Sequence, residues 1–588
     1  MAKAGLQMAQ PADPGLADLA ALPSLAALLR HRAAAQPEDR AYVALSDRGS
    51  EEAAIAFAEL DRRAAALAAR LAGRAEPGAR ALLLFPMGIE CLIAFFACLY
   101  AGIIAVPMMV PRRQSTRDAS ASILADCEPR LALTTAELLS GARGDLVGRF
   151  RHAGLEWVAV DETDARAAAT DLASHEARRD DIAFLQYTSG STSAPKGVMV
   201  SHGNLLANLQ MIRIACGNTP ASTYVSWVPL YHDMGLILNA LEALYVGAKC
   251  VLIPPIAFLQ RPWLWLRAIH DYRAEVAGGP NFAFDLCVDR QRPEQLAGID
   301  LSCWKLAFVG AEPVHARTIE RFTATFRAYG FDSQAMWPGY GMAEATLLIS
   351  GGDRGAGPVV RSVSRAGLLR HQAVPPREAA DAQAVVGCGR ALAGEAIALV
   401  DPESRERLGS DRVGEIWVAG PNVAQGYWRN LEETEATFRA QIAGEADRPW
   451  LRTGDLGFLD ASGELFIAGR IKDVIIIRGA NHYPQDIEDT VQQSHPALRR
   501  HGGAAFTVAD DEKGEQLVIV QEVERTERHR ILPAQLVAQI REAIVTEHDI
   551  VPHDIALLRP GALPKTTSGK IQRALARQLW LTGALDRL

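Results

Sequence analysis

Short apolar runs alternate with helix-length segments along most of this chain, and that alternation restricts the fold more than any other feature. Ala81 to Phe85, Leu131 to Thr134, Trp157 to Val160, Ile182 to Leu185, Val251 to Ile253, Ala274 to Ala277 and Leu306 to Val309 are all of strand length. Apolar at most consecutive positions, such runs read as strands that need cover on both faces. The helical segments between them supply that cover, so α/β layers with parallel sheets are expected. An amphipathic helix at Leu25 to Ala35 precedes them.

With 588 residues, the chain exceeds a typical domain of ~100–200 residues, so at least two folding units are expected. From Gly387 the texture changes to shorter strands set off by Gly, Asp and Asn turns, such as Gly414 to Val418 and Gly463 to Ile467, which reads as a β-rich subdomain. Near Ile471 alternation resumes, with Val474 to Ile477, a helix around Asp486 to Gln493, Leu517 to Val520, a helix from Pro533 to Glu547, and a final loop and helix. The boundary is therefore placed at Arg470 to Lys472. Residues 1–470 form a large N-terminal unit of α/β layers plus the β-rich subdomain, and 471–588 a small α+β C-terminal one.

Cys91 to Val110 lacks charge for 20 residues, long enough on paper to span a bilayer. Pro86 and Gly88 before it, Glu90 at its start and Gly102 within it instead fit strand, helix, strand, and a soluble βαβ unit is expected. The first 20 residues have no apolar stretch of signal-peptide length, so a cytoplasmic location is the default expectation. Eight cysteines occur without a CxxC pair or zinc spacing and read as reduced, mostly buried thiols. A net charge of −8 without a long basic run disfavours nucleic acid as a partner.

The segment Tyr187-Thr-Ser-Gly-Ser-Thr-Ser-Ala-Pro-Lys196-Gly197 follows an apolar run and precedes another at Val198 to Val200. Glycine lets backbone approach an oxyanion, the N–H groups and hydroxyls donate to phosphate oxygens, and the lysine adds a point charge. This is the composition of a triphosphate cradle. A Walker A loop is excluded because Pro195 precedes Lys196 and Gly197 follows it. A flexible Ser/Gly linker is the bland alternative.

Read together with Trp227-Val-Pro-Leu-Tyr-His232-Asp-Met-Gly-Leu236, this loop resembles the signature of the acyl-adenylate-forming superfamily, which includes acyl-CoA ligases, luciferases and peptide-synthetase adenylation domains. Four further segments agree in order and spacing: Gly310-Ala-Glu312, Gly339-Tyr-Gly-Met-Ala-Glu344, Thr453-Gly-Asp455-Leu with Gly469-Arg470-Ile-Lys472-Asp473, and Pro564-Lys-Thr-Thr-Ser-Gly-Lys570. The resemblance covers roughly residues 180 to 573 and implies a large domain carrying a small mobile one.

The resemblance implies that ATP is held by Thr188, Ser189, Gly190, Ser191, Thr192 and Lys196 at the phosphates, and by Gly310, Ala311, Glu312, Gly339, Tyr340, Gly341 and Met342 around adenine. Asp455 would accept the ribose hydroxyls and Arg470 orient the nucleotide. Glu344 offers a hard oxygen for Mg²⁺ bridging to the phosphates. Lys570 would reach the carboxylate and α-phosphate as the bond forms; with Glu344, Thr188 and Lys196 it makes up the expected catalytic set. His232, Met234 and Gly235 are expected to bind the carboxylic acid substrate, and Lys472 to be the hinge. Taken singly, Asp455 also reads as an N-cap, Arg470 as a surface ion pair, His232 as a core histidine and Lys570 as solvated surface.

Asp233 directly after His232, Phe184-Leu-Gln-Tyr-Thr-Ser and Gly-Met-Ala-Glu-Ala-Thr346 look like the fatty acyl-AMP ligases rather than amino-acid-activating domains. Ser350 to Gly387, with Val359-Val-Arg-Ser-Val and Gly367 to Arg370, resembles the insertion (about residues 351–386) that distinguishes that family. Alternating Val359, Arg361 and Val363 favour a strand there, and an ordinary surface loop is the alternative. In the family, the insertion goes with restrained rotation of the small domain and poor use of coenzyme A. The implied reaction is ATP-dependent activation of a fatty acid to acyl-AMP with release of pyrophosphate, then transfer to the phosphopantetheine thiol of a carrier protein. A fatty acyl-CoA ligase and a non-catalytic nucleotide-binding relative are the alternatives. Arg499, Arg500, Arg525, Arg528 and Arg530 are the candidates for docking an acidic carrier.

Overall fold

The computed structural model describes residues 18–110, 120–141, 150, 154–161, 175–188, 195–445, 448–477, 480–510, 514–566 and 569–588. Six strands form the centre of the largest sheet: Arg40–Leu45, Lys249–Leu252, Thr223–Ser226, Val276–Gly279, Leu306–Val309 and Met336–Gly341 lie side by side and parallel. Antiparallel strands close it, Glu51–Ala56 at one edge and Leu348–Gly351 with Arg390–Ala391 at the other. A second sheet runs Glu156–Ala159, Leu131–Thr134, Arg80–Leu84, Ile104–Met108, Ile182–Thr188 and Lys196–Ser201 in spatial order, parallel except for the last pair. Leu131–Thr134 and Leu306–Val309 fall where the apolar runs place them, and all eight residues are buried. The antiparallel edges are what the alternation of strands and helices does not reveal.

The uncharged stretch behaves as a covering helix. Ile89–Tyr100 is buried along nearly its whole length, Ala101 is its C-cap, and Gly102, at φ 68°, turns the chain into the strand Ile104–Met108. Among the described residues, no helix is long and apolar enough to cross a membrane. All eight cysteines are buried and free.

One continuous core joins both sheets and extends to Phe458, Phe466 and Tyr483 beside the four-stranded antiparallel sheet Ala396–Val400, Gly414–Ala419, Leu451–Leu459 and Leu465–Arg470. The C-terminal residues build cores of their own on the two faces of a three-stranded sheet, Leu498–Asp510, Gly514–Val523 and Asp554–Leu558. Leu517 and Ile519 pack with Ile487, Val491, Ile540 and Ile544 on one face, whereas Val518 and Val520 pack with Phe506, Leu558 and Leu579 on the other. This is the period-two division that a strand buried on both sides requires.

Between these parts, Val360–Ser364 pairs antiparallel with Ala382–Val386, and Ser364 caps the short helix Arg365–Leu368. This hairpin touches the C-terminal region directly. Arg365 pairs with Glu547 at 2.6 Å, and Asn481 donates to the Leu369 carbonyl at 3.2 Å and meets His371 Nε2 at 2.8 Å.

Candidate active site

A cleft of about 1340 Å³ lies where the large sheet, the four-stranded sheet and the C-terminal region meet. Thr188, His232, Met234, Gly310, Ala311, Glu312, Gly339, Tyr340, Gly341, Met342, Glu344, Asp455, Arg470 and Lys570 all line it. Ser189, Gly190, Ser191 and Thr192 lie outside the described residues. Thr188 and Lys196 are register partners across the antiparallel pair of strands that this loop joins.

Tight backbone approaches shape one part of the cleft. A Cβ on Gly341 would sit 1.9 Å from the Leu347 carbonyl oxygen, and one on Gly310 would sit 2.7 Å from that of Gly339. Only glycine permits these approaches. The Tyr340 hydroxyl donates to Asp455 Oδ2 at 2.8 Å, while Arg470 Nε donates to Oδ1 at 2.8 Å. Both oxygens of Asp455 therefore have protein partners that aim the carboxylate, and each keeps a lone pair for a further donor.

Glu344 stands in the short turn Ala343–Ala345 and is buried. Burial raises the pKa of its carboxyl, opposed by smaller contributions that include the hydrogen bond from Tyr427, whose hydroxyl donates at 2.9 Å. Lys196 Nζ lies 4.8 Å from the centre of the Tyr427 ring and pairs with Glu433 at 2.5 Å. Lys196 thus stands behind Tyr427 and does not itself line the cleft. Tyr427 and Glu433 belong to none of the six motifs, and no signal in the sequence pointed to them.

Elsewhere on the cleft wall, Asp233 pairs with His232 Nδ1 at 2.6 Å and accepts from the Met234 N–H at 2.7 Å. Burial opposes the Asp233 carboxylate, yet the charge and hydrogen bond of His232 and the charge of Lys570 hold its pKa below the ordinary value. Lys570 lines the same cleft as the His232–Asp233 pair. Met234–Leu241 forms a π-helical stretch, and Asn239 donates to the Met234 carbonyl at 2.8 Å. Widened turns of this kind are frequent at functional sites.

Two expected contacts are corrected. Gly235 does not line the cleft; a Cβ there would lie 2.2 Å from the Pro229 carbonyl oxygen, so the residue serves close backbone packing. Arg499, half-buried, is already engaged within the C-terminal region: it pairs at 2.7 Å with Glu522, which is 1% exposed and also accepts from the N–H groups of Gly561 and Leu563. Arg500, Arg525, Arg528 and Arg530 are exposed. Lys472 is also exposed, in the turn Ile471–Asp473.

Residues 29–428 match the model of the AMP-binding enzyme family, and residues 472–588 match that of the Disco-interacting protein 2-like AMP domain. A medium-chain-fatty-acid–[acyl-carrier-protein] ligase of Moorena producens is 42% identical over 95% of this chain and 95% of its own. A second protein of that description, from Teredinibacter turnerae, is 34% identical over 92% of this chain and 91% of its own. A fatty acyl-adenylate ligase of L. pneumophila, solved with acyl adenylate and pyrophosphate, superposes with a TM-score of 0.74 at 37% identity, covering 96% of this chain and 97% of that one. The chain belongs to the fatty acyl-AMP ligases, within the AMP-binding enzyme family.

Membership makes this chain an AMP-forming ligase that uses ATP. The Tyr340–Asp455–Arg470 group, the His232–Asp233 pair and Lys570 all line this one cleft.

Proposed function

We propose that this enzyme activates a fatty acid with MgATP to acyl-AMP and then passes the acyl group to a carrier-protein thiol. A fatty acid is already ionised near pH 7, so its carboxylate oxygen attacks the α-phosphorus without a general base, the bond to the bridging oxygen breaks, and pyrophosphate leaves. In the second step the phosphopantetheine thiol loses its proton, its sulfur attacks the acyl carbonyl, and AMP departs. The observation that carries this reading is the convergence of Tyr340–Asp455–Arg470, Glu344, His232–Asp233 and Lys570 on one cleft.

In this reading Lys570 offsets the charge that gathers as carboxylate meets phosphate. Asp455 holds the ribose, and Tyr427 holds Glu344 in the orientation needed at the phosphates. Among the described residues, no group of three or more His, Cys, Asp or Glu could hold a metal. The single buried carboxylate of Glu344 suits Mg²⁺, which keeps waters and substrate phosphates in its shell and needs few protein ligands. Bound there, the ion would neutralise phosphate charge. Residues 1–470 and 471–588 act as two units about Lys472, the second carrying Lys570.

The carrier thiol is favoured over coenzyme A by the hairpin Val360–Ser364/Ala382–Val386, whose neighbours Arg365 and Leu369 hold the C-terminal region. One experiment decides between the acceptors. Purified enzyme with MgATP and a series of fatty acids is supplied with holo carrier protein or coenzyme A, and the two thioesters are measured. Acyl-carrier formation is expected to dominate, and efficient acyl-CoA formation would overturn the choice.

A further inference from the structure

Beyond the motifs, two histidines face two aspartates in opposite senses across the boundary between the large region and the C-terminal one. His315 follows the adenine-side segment and pairs through Nδ1 with Asp489 of the helix Pro484–Ser494 at 2.9 Å. His501 of the strand Leu498–Asp510 pairs through Nε2 with Asp285 of the helix Asn281–Asp289 at 2.9 Å. Each side thus contributes one histidine and one aspartate, and the two imidazole rings lie 6.4 Å apart, edge to face.

Both halves of this contact are also held by neighbours on their own side. Asp285 is fixed by Thr318 Oγ1 at 2.8 Å and by Arg321, and its side chain is 6% exposed. The N–H of His315 donates to Asn281 Oδ1 at 3.1 Å, and Asn281 in turn donates to the Pro313 carbonyl at 2.8 Å. On the other side the strand bulges between Leu498 and Gly503, and His501 there adopts φ 51°. Bulges re-aim side chains, and a non-glycine residue in the left-handed region is a small local strain held by its surroundings. The bulge directs the imidazole to Asp285 while the His501 carbonyl accepts from Lys565 Nζ.

Lys565 begins the loop that ends in Lys570. Lys565 and Ile571 form a bridge, the Thr566 N–H donates to the Lys570 carbonyl at 2.7 Å, and the Lys570 N–H donates to Thr566 Oγ1 at 3.0 Å. A continuous path therefore runs from Asp285 through His501 and Lys565 to the backbone of Lys570.

We propose that the reciprocal pairs His315–Asp489 and His501–Asp285 form a latch that positions Lys570 for adenylate formation and must open before the acyl group is transferred. The proposal rests on the two-step reading above and adds to it that the C-terminal region turns about Lys472 between the steps. His315 and His501 are positioning residues, since they act through the Lys570 loop.

The test uses His315→Ala and His501→Asn in the full chain. Asparagine tolerates the left-handed backbone at position 501 yet is too short to span to Asp285. Fatty-acid-dependent ATP/pyrophosphate exchange is expected to fall about tenfold in each variant, the size appropriate to a lost charge-assisted hydrogen bond, with the KM for ATP unchanged. Transfer from supplied acyl-adenylate to holo carrier protein is expected to stay within about twofold of the parent. Equal losses in both half-reactions, or undiminished exchange, would overturn the latch. Closure is read separately by energy transfer between labels on cysteines introduced at the exposed Glu320 and Glu542, the native cysteines being buried. Both variants are expected to shift that signal in the presence of MgATP; an unchanged signal also overturns the latch. If the parent enzyme shows no exchange with any fatty acid while the signal still responds to the substitutions, the proposed reaction fails and the latch stands.

Discussion

Replacing Arg573 by methionine should uncouple the C-terminal unit from its own support. Arg573 Nε and Nη2 each donate to Glu488 at 2.7 Å, and Nη1 reaches Asp473 at 3.0 Å. The side chains of Glu488 and Asp473 are 6% and 16% exposed. Methionine keeps much of the volume but leaves the Glu488 carboxylate with one remaining donor, the Ala505 N–H at 2.9 Å. Breaking a buried pair by removing one partner costs about 3–5 kcal/mol. For a unit the size of residues 472–588, ~3 kcal/mol corresponds to a fall of about 12 °C in the transition of that unit, which scanning calorimetry of the full chain would resolve. Glu488 already has a pKa raised by desolvation, which Arg573 opposes. Without the arginine, the penalty of holding the carboxylate charged is absent below the carboxyl range and grows as pH rises through it. The deficit of Arg573→Met is therefore greatest at neutral pH and shrinks in acid. Adding Glu488→Gln should recover most of the lost stability, because no unpaired charge then remains. A double variant no more stable than Arg573→Met, or a deficit that does not change with pH, would refute the reasoning.

Lys570→Ala is expected to lower ATP/pyrophosphate exchange by about 100-fold or more, and undiminished exchange would remove Lys570 from the reaction. Tyr427→Phe deletes the donor that aims Glu344; exchange should fall about tenfold with a raised Mg²⁺ requirement, read from Mg²⁺ titrations of the exchange rate. His315 is faced by Asp489 and Asp486 of one helix, by Asp285 and His501, and by Glu312 of its own segment; burial works against its charge, but Asp489 leads the acids that push its pKa up to about 9. A histidine raised in the closed state favours closure fully below its ordinary value near 6.5 and loses that contribution as pH rises through 9. Exchange should accordingly decline above about pH 8 in the parent, and the same decline in His315→Ala would sink the assignment.

Much of the architecture was legible because core strands carry apolar residues at consecutive positions, as Leu131 to Leu133 and Leu306–Val309 show. The helix Ile89–Tyr100 was legible for a different reason, since Pro86, Gly88 and Gly102 bracket a length too short to span a bilayer. The cleft-lining residues were legible where a motif sets them at fixed spacing, as in Gly339 to Glu344. What stayed hidden depends on contacts between distant segments. Tyr427 meets Glu344 from 83 residues away, and His501 meets Asp285 from 216 away. Arg499 reads as one arginine among several, and its pairing with the buried Glu522, 23 positions away, leaves no trace in the sequence. Gly235 sat inside a ligand-binding motif, yet the Pro229 carbonyl explains it through packing alone. The π-helix at Met234–Leu241 is an apolar segment whose hydrogen-bond period leaves no trace in residue type.

The contacts that hold the C-terminal region differ in kind, and the difference bears on how it could turn. On the hairpin side, Arg365 is 30% and Glu547 47% exposed, so their attraction is largely screened and contributes about 0–1 kcal/mol. Asn481 contacts the Leu369 carbonyl only nine positions beyond Lys472, close to the proposed pivot, where a rotation displaces atoms little. On the cleft side, Asp285 is fixed, nearly buried and charged, and its pair with His501 lies on the path to Lys570. The hairpin thus restrains the turn through shape near its axis, whereas the histidine pairs set the free-energy difference between closed and open. A substrate that rearranges the Lys570 loop need act only on the second set, and the first then guides the direction of movement without determining its energy.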